Sequence, residues 1–183
     1  MKRLLIVSLL LCLVLSLVGC GNDGESSTDV SSTPSVAAES SLTPTQMDAK
    51  IKAEKYLEIT GYSYDVMMEK LQADGVSQED AKYVVENIID FDQQASRRAK
   101  ANLDTMAYSY TGLVSKLVSE KFTQEQAEYA VENCGANWEE QALRKANAYF
   151  ALGDFPEEQL TDQLSYDGFT IAQVRYALDN VNQ

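Results

Sequence analysis

Apolar residues in this chain recur at helical spacing in short bursts, and the bursts themselves repeat. LQADGVSQEDAKYVVEN, LVSEKFTQEQAEYAVEN and LSYDGFTIAQVRYALDN begin at Leu71, Leu117 and Leu164, and Asn87, Asn133 and Asn180 close them. The alanine pair Ala49 and Ala53 returns as Ala95 and Ala99, then as Ala142 and Ala146, so the period is 46 and then 47 residues. A period of that length belongs to stacked helical supersecondary units. The chain therefore reads as all-α, with three tandem repeats spanning 48–90, 91–137 and 138–183.

Each repeat specifies three helices. In NWEEQALRKANAYF, Asn137 is placed to N-cap and Glu140 to complete a capping box, while Trp138, Ala142, Ala146 and Phe150 fall on one stripe. Asp90, Gln93, Phe91, Ala95, Ala99 and Leu103 hold the same frame in the middle repeat. The first repeat keeps the alanines and Leu57 but has Thr45 in the aromatic position. A second helix starts near Ser63, Ser109 and Pro156, and the pairs Met67/Leu71, Leu113/Leu117 and Leu160/Leu164 mark its inner face.

The third helix carries the clearest start and stop. Ser77, Thr123 and Thr170 are N-caps, with Asp80, Gln126 and Gln173 three residues on as capping-box partners. Val76, Phe122 and Phe169 stand as staples against Ala81, Ala127 and Val174. Ala127, Ala130 and Val131 make the inward face, Asn133 suits a left-handed C-cap, and Cys134, like Ile88 and Val181, is the apolar residue after it. A unit this small has little core, so neighbouring repeats are expected to bury their faces jointly.

The segment before the repeats changes the picture from a fold to a location. MKR precedes an apolar run from Leu4 to Val18. Fifteen helical residues span roughly 22 Å, short of the roughly 30 Å needed to cross a bilayer, so residues 1–19 read as a signal peptide. Its end, Leu17-Val18-Gly19-Cys20, resembles the lipobox of bacterial lipoproteins. That resemblance implies cleavage between Gly19 and Cys20, with a diacylglyceryl thioether on Cys20 as membrane anchor. Residues 20–47, rich in Ser and Thr and free of aromatics and basic side chains, then serve as a flexible tether.

Composition narrows the chemistry. With Cys20 alkylated, Cys134 has no disulfide partner, and it reads as a small buried hydrophobe. The formal charge is −13 for the whole chain. Loss of Lys2 and Arg3 with the leader leaves thirteen basic against twenty-eight acidic side chains, which repels nucleic acid and favours basic partners. There is no histidine, so imidazole-dependent hydrolytic and zinc sites are closed. Acidic pairs such as Glu139/Glu140 sit in first turns, where they complement the helix dipole. No catalytic, metal or cofactor-binding residue is expected, beyond the covalent lipid on Cys20, and no small-molecule substrate. Tyrosine recurs as Tyr83, Tyr129 and Tyr176, opposite the inward face, either packing on a neighbouring helix or forming a recognition surface. Tyr62, Tyr64, Tyr108 and Tyr110 pose the same choice.

W-x-x-Q-A-L-x-x-A over Trp138–Ala146, then G-F-T and V-x-Y-A-L-D-N over Gly168–Asn180, resembles the repeat of the Ltp family of host cell-surface-exposed lipoproteins. The middle repeat fits as K-F-T-x-E-Q-A-x-Y-A-V-E-N, and the first departs most, with Val76 for the phenylalanine. The resemblance implies helix-turn-helix-like repeats held outside the membrane of a Gram-positive bacterium. It further implies superinfection exclusion, with phage DNA injection blocked through the tape-measure protein. The alternative expectation is an envelope or adhesion module with no phage role.

Overall fold

The structure is a computed structural model and describes residues 42–153 and 156–181. The leader, the cleavage site at Gly19 and Cys20, and the tether up to Ser41 lie outside the described residues. Nine helices form among those described, and no strand does. They fall into three triplets. The first is α1 (Pro44–Ile59), α2 (Tyr64–Ala73) and α3 (Gln78–Asn87); the second is α4 (Phe91–Thr105), α5 (Tyr110–Ser119) and α6 (Gln124–Glu132). The third is α7 (Trp138–Phe150), α8 (Glu157–Tyr166) and α9 (Ile171–Asn180).

Within each triplet the first helix lies chiefly against the third, and the second helix covers them both. The repeated alanines explain the first contact, because a methyl group lets two helix backbones approach closely. Ala49, Ala53, Ala95, Ala99, Ala142 and Ala146 are all buried. The middle helix supplies the volume, through the fully buried Met67, Leu71, Leu113, Leu117, Leu160 and Leu164. Each such side chain contributes about 1.5–3 kcal/mol relative to exposure.

The turn between the second and third helices is specified twice over. Val76, Phe122 and Phe169 donate their N–H to the carbonyls of Leu71, Leu117 and Leu164 at 3.0, 3.2 and 3.1 Å. The residue before each, Gly75, Lys121 or Gly168, takes a left-handed φ of 79°, 70° or 88°. Those are the two marks of a Schellman stop, in which the incoming apolar residue packs back on the helix it terminates. The same apolar residue then precedes the N-cap of the next helix. Ser77, Thr123 and Thr170 accept from the N–H three residues on, and Thr123 with Gln126 and Thr170 with Gln173 form full capping boxes. Asp80 is one methylene shorter and accepts from the Ser77 hydroxyl at 2.8 Å instead.

Lys121 holds a left-handed conformation that costs a side-chain-bearing residue about 1 kcal/mol more than glycine. Its ammonium pairs with Glu69 of the first triplet, but both side chains are well exposed, so the pair is weak. Lys121→Gly is accordingly expected to stabilise the protein by about 0.5 kcal/mol. A thermal melt checks it; a lower midpoint would mean that the ion pair outweighs the backbone.

Four expectations are corrected. α1 begins at Pro44, so residues 44–47 are its first turn and not tether: Thr43 caps it, Gln46 completes the box, and Pro44 occupies a position that needs no N–H. Asn133 has φ −103° and is not left-handed. Its amide instead donates to the Tyr129 carbonyl at 2.8 Å, as Asn87 does to Tyr83 and Asn180 to Tyr176. Gln93 and Glu140 form no capping box: Asp90 and Asn137 accept from the backbone N–H of N3, but no N3 side chain accepts in return from the cap's own N–H, and Glu140 accepts from Tyr176 instead. Finally, the repeats do not merge into one joint core.

Each triplet has its own cluster of buried residues, and the first two each receive one aromatic from the triplet that follows. Phe91 packs on the first core and lies 5.7 Å from the Tyr64 ring; Trp138 packs on the second and lies 5.6 Å from Tyr110. Polar seams complete the joins. Ser63 Oγ donates to the Glu120 carbonyl at 2.9 Å, and one period later Ser109 Oγ donates to that of Asp167. At the first seam a Cβ on Gly61 would sit 1.9 Å from the Gln94 carbonyl oxygen, so the loop approaches α4 more closely than any side chain permits.

Candidate binding surface

A carboxylate at the C-terminal end of a helix opposes the helix dipole, yet Asp74, Glu120 and Asp167 stand there after α2, α5 and α8. The first helix of each triplet explains them. Tyr56 donates to Asp74 at 2.8 Å, Asn102 to Glu120 at 3.1 Å and Tyr149 to Asp167 at 2.6 Å. One turn earlier on the same face come Lys52, Arg98 and Lys145. Arg98 grips Glu120 with two bonds of 2.9 and 2.7 Å, Lys145 lies 3.4 Å from Asp167, and Lys52 reaches the Asp74 carbonyl at 3.3 Å. In every triplet a donor on the first helix therefore holds the acid that ends the second, and in the second and third triplets a cation joins it; in the first the lysine reaches that residue's backbone carbonyl and pairs with Asp48. These side chains are committed to structure.

The middle clasp is the tightest. Burial favours the neutral acid at Glu120, but hydrogen bonds from Arg98, Asn102 and Lys116 outweigh it and hold the carboxyl below its ordinary value of 4.5. In the third clasp, burial and the bond to Asp167 push the Tyr149 phenol up to about 12, so it stays a donor. A depressed carboxyl stabilises the fold fully above its unfolded value and loses that contribution as pH falls through the folded one. Glu120→Gln is therefore expected to cost about 1 kcal/mol at pH 7, a figure between those for exposed and buried pairs because the Glu120 side chain is 14% exposed. The difference from the parent should shrink as the pH is taken from 7 to well below 4.5, through the folded value. Equal destabilisation at both pH values, in thermal melts, would remove the clasp from the acid response.

With the clasps assigned, the recurrent tyrosines of the third helices can be sorted. Tyr176 is half-buried and donates to Glu140 on α7 at 2.8 Å, which makes it a packing residue. Tyr83 is also half-buried. Tyr129 is 52% exposed. Among the described residues neither the Tyr83 nor the Tyr129 hydroxyl has a protein partner. Glu125 and Glu132 lie one turn either side of Tyr129 on the same stripe, both exposed. An aromatic face between two carboxylates can hold a lysine or arginine by cation–π attraction and ion pairing together. Tyr64 and Tyr110 belong to the seams. Cys134 is partly buried, and its thiol donates to the Val131 carbonyl at 3.1 Å.

Comparison with known proteins bears on where such a surface works. The profile of the family described as host cell surface-exposed lipoprotein matches residues 90–134 and again 137–181. One solved structure, Ltp, a superinfection exclusion protein from the Streptococcus thermophilus temperate phage TP-J34, is 36% identical. The match covers 50% of this chain and 95% of that one, with a TM-score of 0.48. The chain belongs to the Ltp family. None of the curated proteins compared with it matches. The family's description puts its members at the host cell surface as lipoproteins, on the outer side of the membrane. The two matched stretches are the second and third triplets. The first triplet has the same three-helix order as the two matched stretches but lies outside them, and it is the one with Thr45 and Val76 at the aromatic positions.

Proposed function

We propose that the chain is a non-enzymatic surface lipoprotein, anchored through diacylglycerol on Cys20, whose helical repeats capture a protein of an incoming phage and thereby block DNA entry. The observation that carries this reading is the 36% identity to a superinfection exclusion protein over nearly all of that protein's chain. The surface chemistry agrees with it. The charge of −13 and the Glu125–Tyr129–Glu132 stripe suit a basic protein segment and repel nucleic acid. The partner proposed is the phage tape-measure protein, which the resemblance to the Ltp family implies.

Binding between the full-length protein in lipid nanodiscs and a purified tape-measure protein tests the proposal. The expected result is a complex that weakens as salt rises and weakens further with Tyr129→Ala. Absence of binding to the tape-measure proteins of several phages that plate poorly on expressing cells would remove that partner.

A further inference from the structure

Among the described residues, the third triplet leaves open a slot that the first two close. In the first, Val85 is fully buried (0% exposed) in the cluster on which Tyr64 and Phe91 pack; in the second, Val131 is 1% exposed in the cluster on which Tyr110 and Trp138 pack. The tyrosine hydroxyls reach Glu86 at 3.2 Å and Glu132 at 3.4 Å. One period later, Glu157 replaces the tyrosine, Thr161 replaces Met68 and Val114, and Asp179 replaces the glutamate. Leu178, in the place of the two valines, is only half-buried. The result is a groove of about 410 Å³ between α8 and α9, floored by Val174 and Leu178, with Ile171 80% exposed at its rim.

We infer that this groove docks an aromatic side chain from a separate protein, presented on the first turn of a helix with a lysine or arginine beside it. The geometry of the occupant follows from the equivalent seams, where Phe91 and Trp138 stand at the first position of α4 and α7. The groove continues the surface by which each of the first two triplets takes its neighbour. Its charge follows from the rim, where Glu157 and Asp179 face a single cation, Arg175, on a strongly acidic chain. Glu158 adds a further carboxylate to the first turn of α8. A second copy of the chain is a poor occupant, because its α1 offers Thr45 where the other triplets offer an aromatic. The inference does not require the partner to be a phage protein.

A fluorescent peptide of residues 136–148, ANWEEQALRKANA, carrying Glu139→Lys and Glu140→Lys, is a suitable probe for the full-length protein in nanodiscs. Anisotropy titration should show saturable binding. It should be weaker by about tenfold when the peptide's tryptophan is replaced by alanine, the value of burying one large apolar side chain. The unsubstituted acidic peptide should also bind more weakly. Thr161→Trp, which fills the groove from within, and Ile171→Lys, at a rim position too exposed to disturb the core, should each reduce binding by a similar factor. Equal binding of the alanine peptide, or no effect of either variant in a chain of unchanged helicity, would overturn the inference. So would self-association that competes with the peptide, which would assign the groove to a second copy. Peptide binding that persists in a protein without effect on phage would leave the groove standing and remove only the exclusion reading.

Discussion

Leu117→Ala is expected to lower the stability of the middle triplet by about 3 kcal/mol and to melt it ahead of its neighbours. Leu117 is fully buried, and its carbonyl also receives the Phe122 N–H that stops α5, so truncation opens a cavity beside the turn that sets α6. The three cores are separate clusters joined by one aromatic and a few polar contacts at each seam. Stability in such an array is approximately a sum of unit and seam contributions, so the damage should stay local. Hydrogen exchange should show protection lost first in α4, α5 and α6, with α1–α3 retaining theirs. Leu164→Ala, the equivalent change one period on, should expose α7–α9 instead. Uniform loss over all nine described helices in either variant would mean one cooperative core and would contradict the division into triplets.

The other large effect is expected at the anchor. Cys20→Ala removes the only atom of that residue able to form the proposed thioether, and with it the acyl chains that would give stable anchoring. The protein should move from the membrane fraction to the medium, or remain uncleaved with its leader. Any protection against phage should fall to the level of cells lacking the protein, although the helical repeats are untouched. Protection by a fully released protein would show that tethering is dispensable, and would recast the binding domain as a free inhibitor.

Most of the fold was legible in the sequence because its determinants are local. Caps, staples and apolar stripes at Ser77, Thr123, Thr170 and Leu117 act over four or five residues, and each recurs in register. What failed was competition between local options. Asn133 was suited to a left-handed stop, but its amide reaches the Tyr129 carbonyl without any backbone strain. Glu140 was suited to a capping box, but Tyr176, thirty-six residues away, claims it. The clasps had a visible signal that went unread: Lys52, Arg98 and Lys145 recur at the repeat period, as do Asp74, Glu120 and Asp167. The candidate surface was only partly legible. The recurrence of Tyr83, Tyr129 and Tyr176 showed that the position mattered, but identical letters hid three environments, and only Tyr129 is turned mainly to solvent. The seam tyrosines were informative by their absence, since Glu157 replaces Tyr64 and Tyr110 where the groove stays open.

The central claim, that a tethered array of helical triplets stops phage DNA from entering, is tested most directly by separating adsorption from entry. Cells with and without the protein are infected by a panel of tailed phages, and both free phage and nuclease-protected intracellular phage DNA are counted in the first minutes. The account predicts, for at least one phage, unchanged adsorption with intracellular DNA reduced to a small fraction of the control. Normal DNA entry by every phage in the panel, with the protein present at the surface, would contradict it.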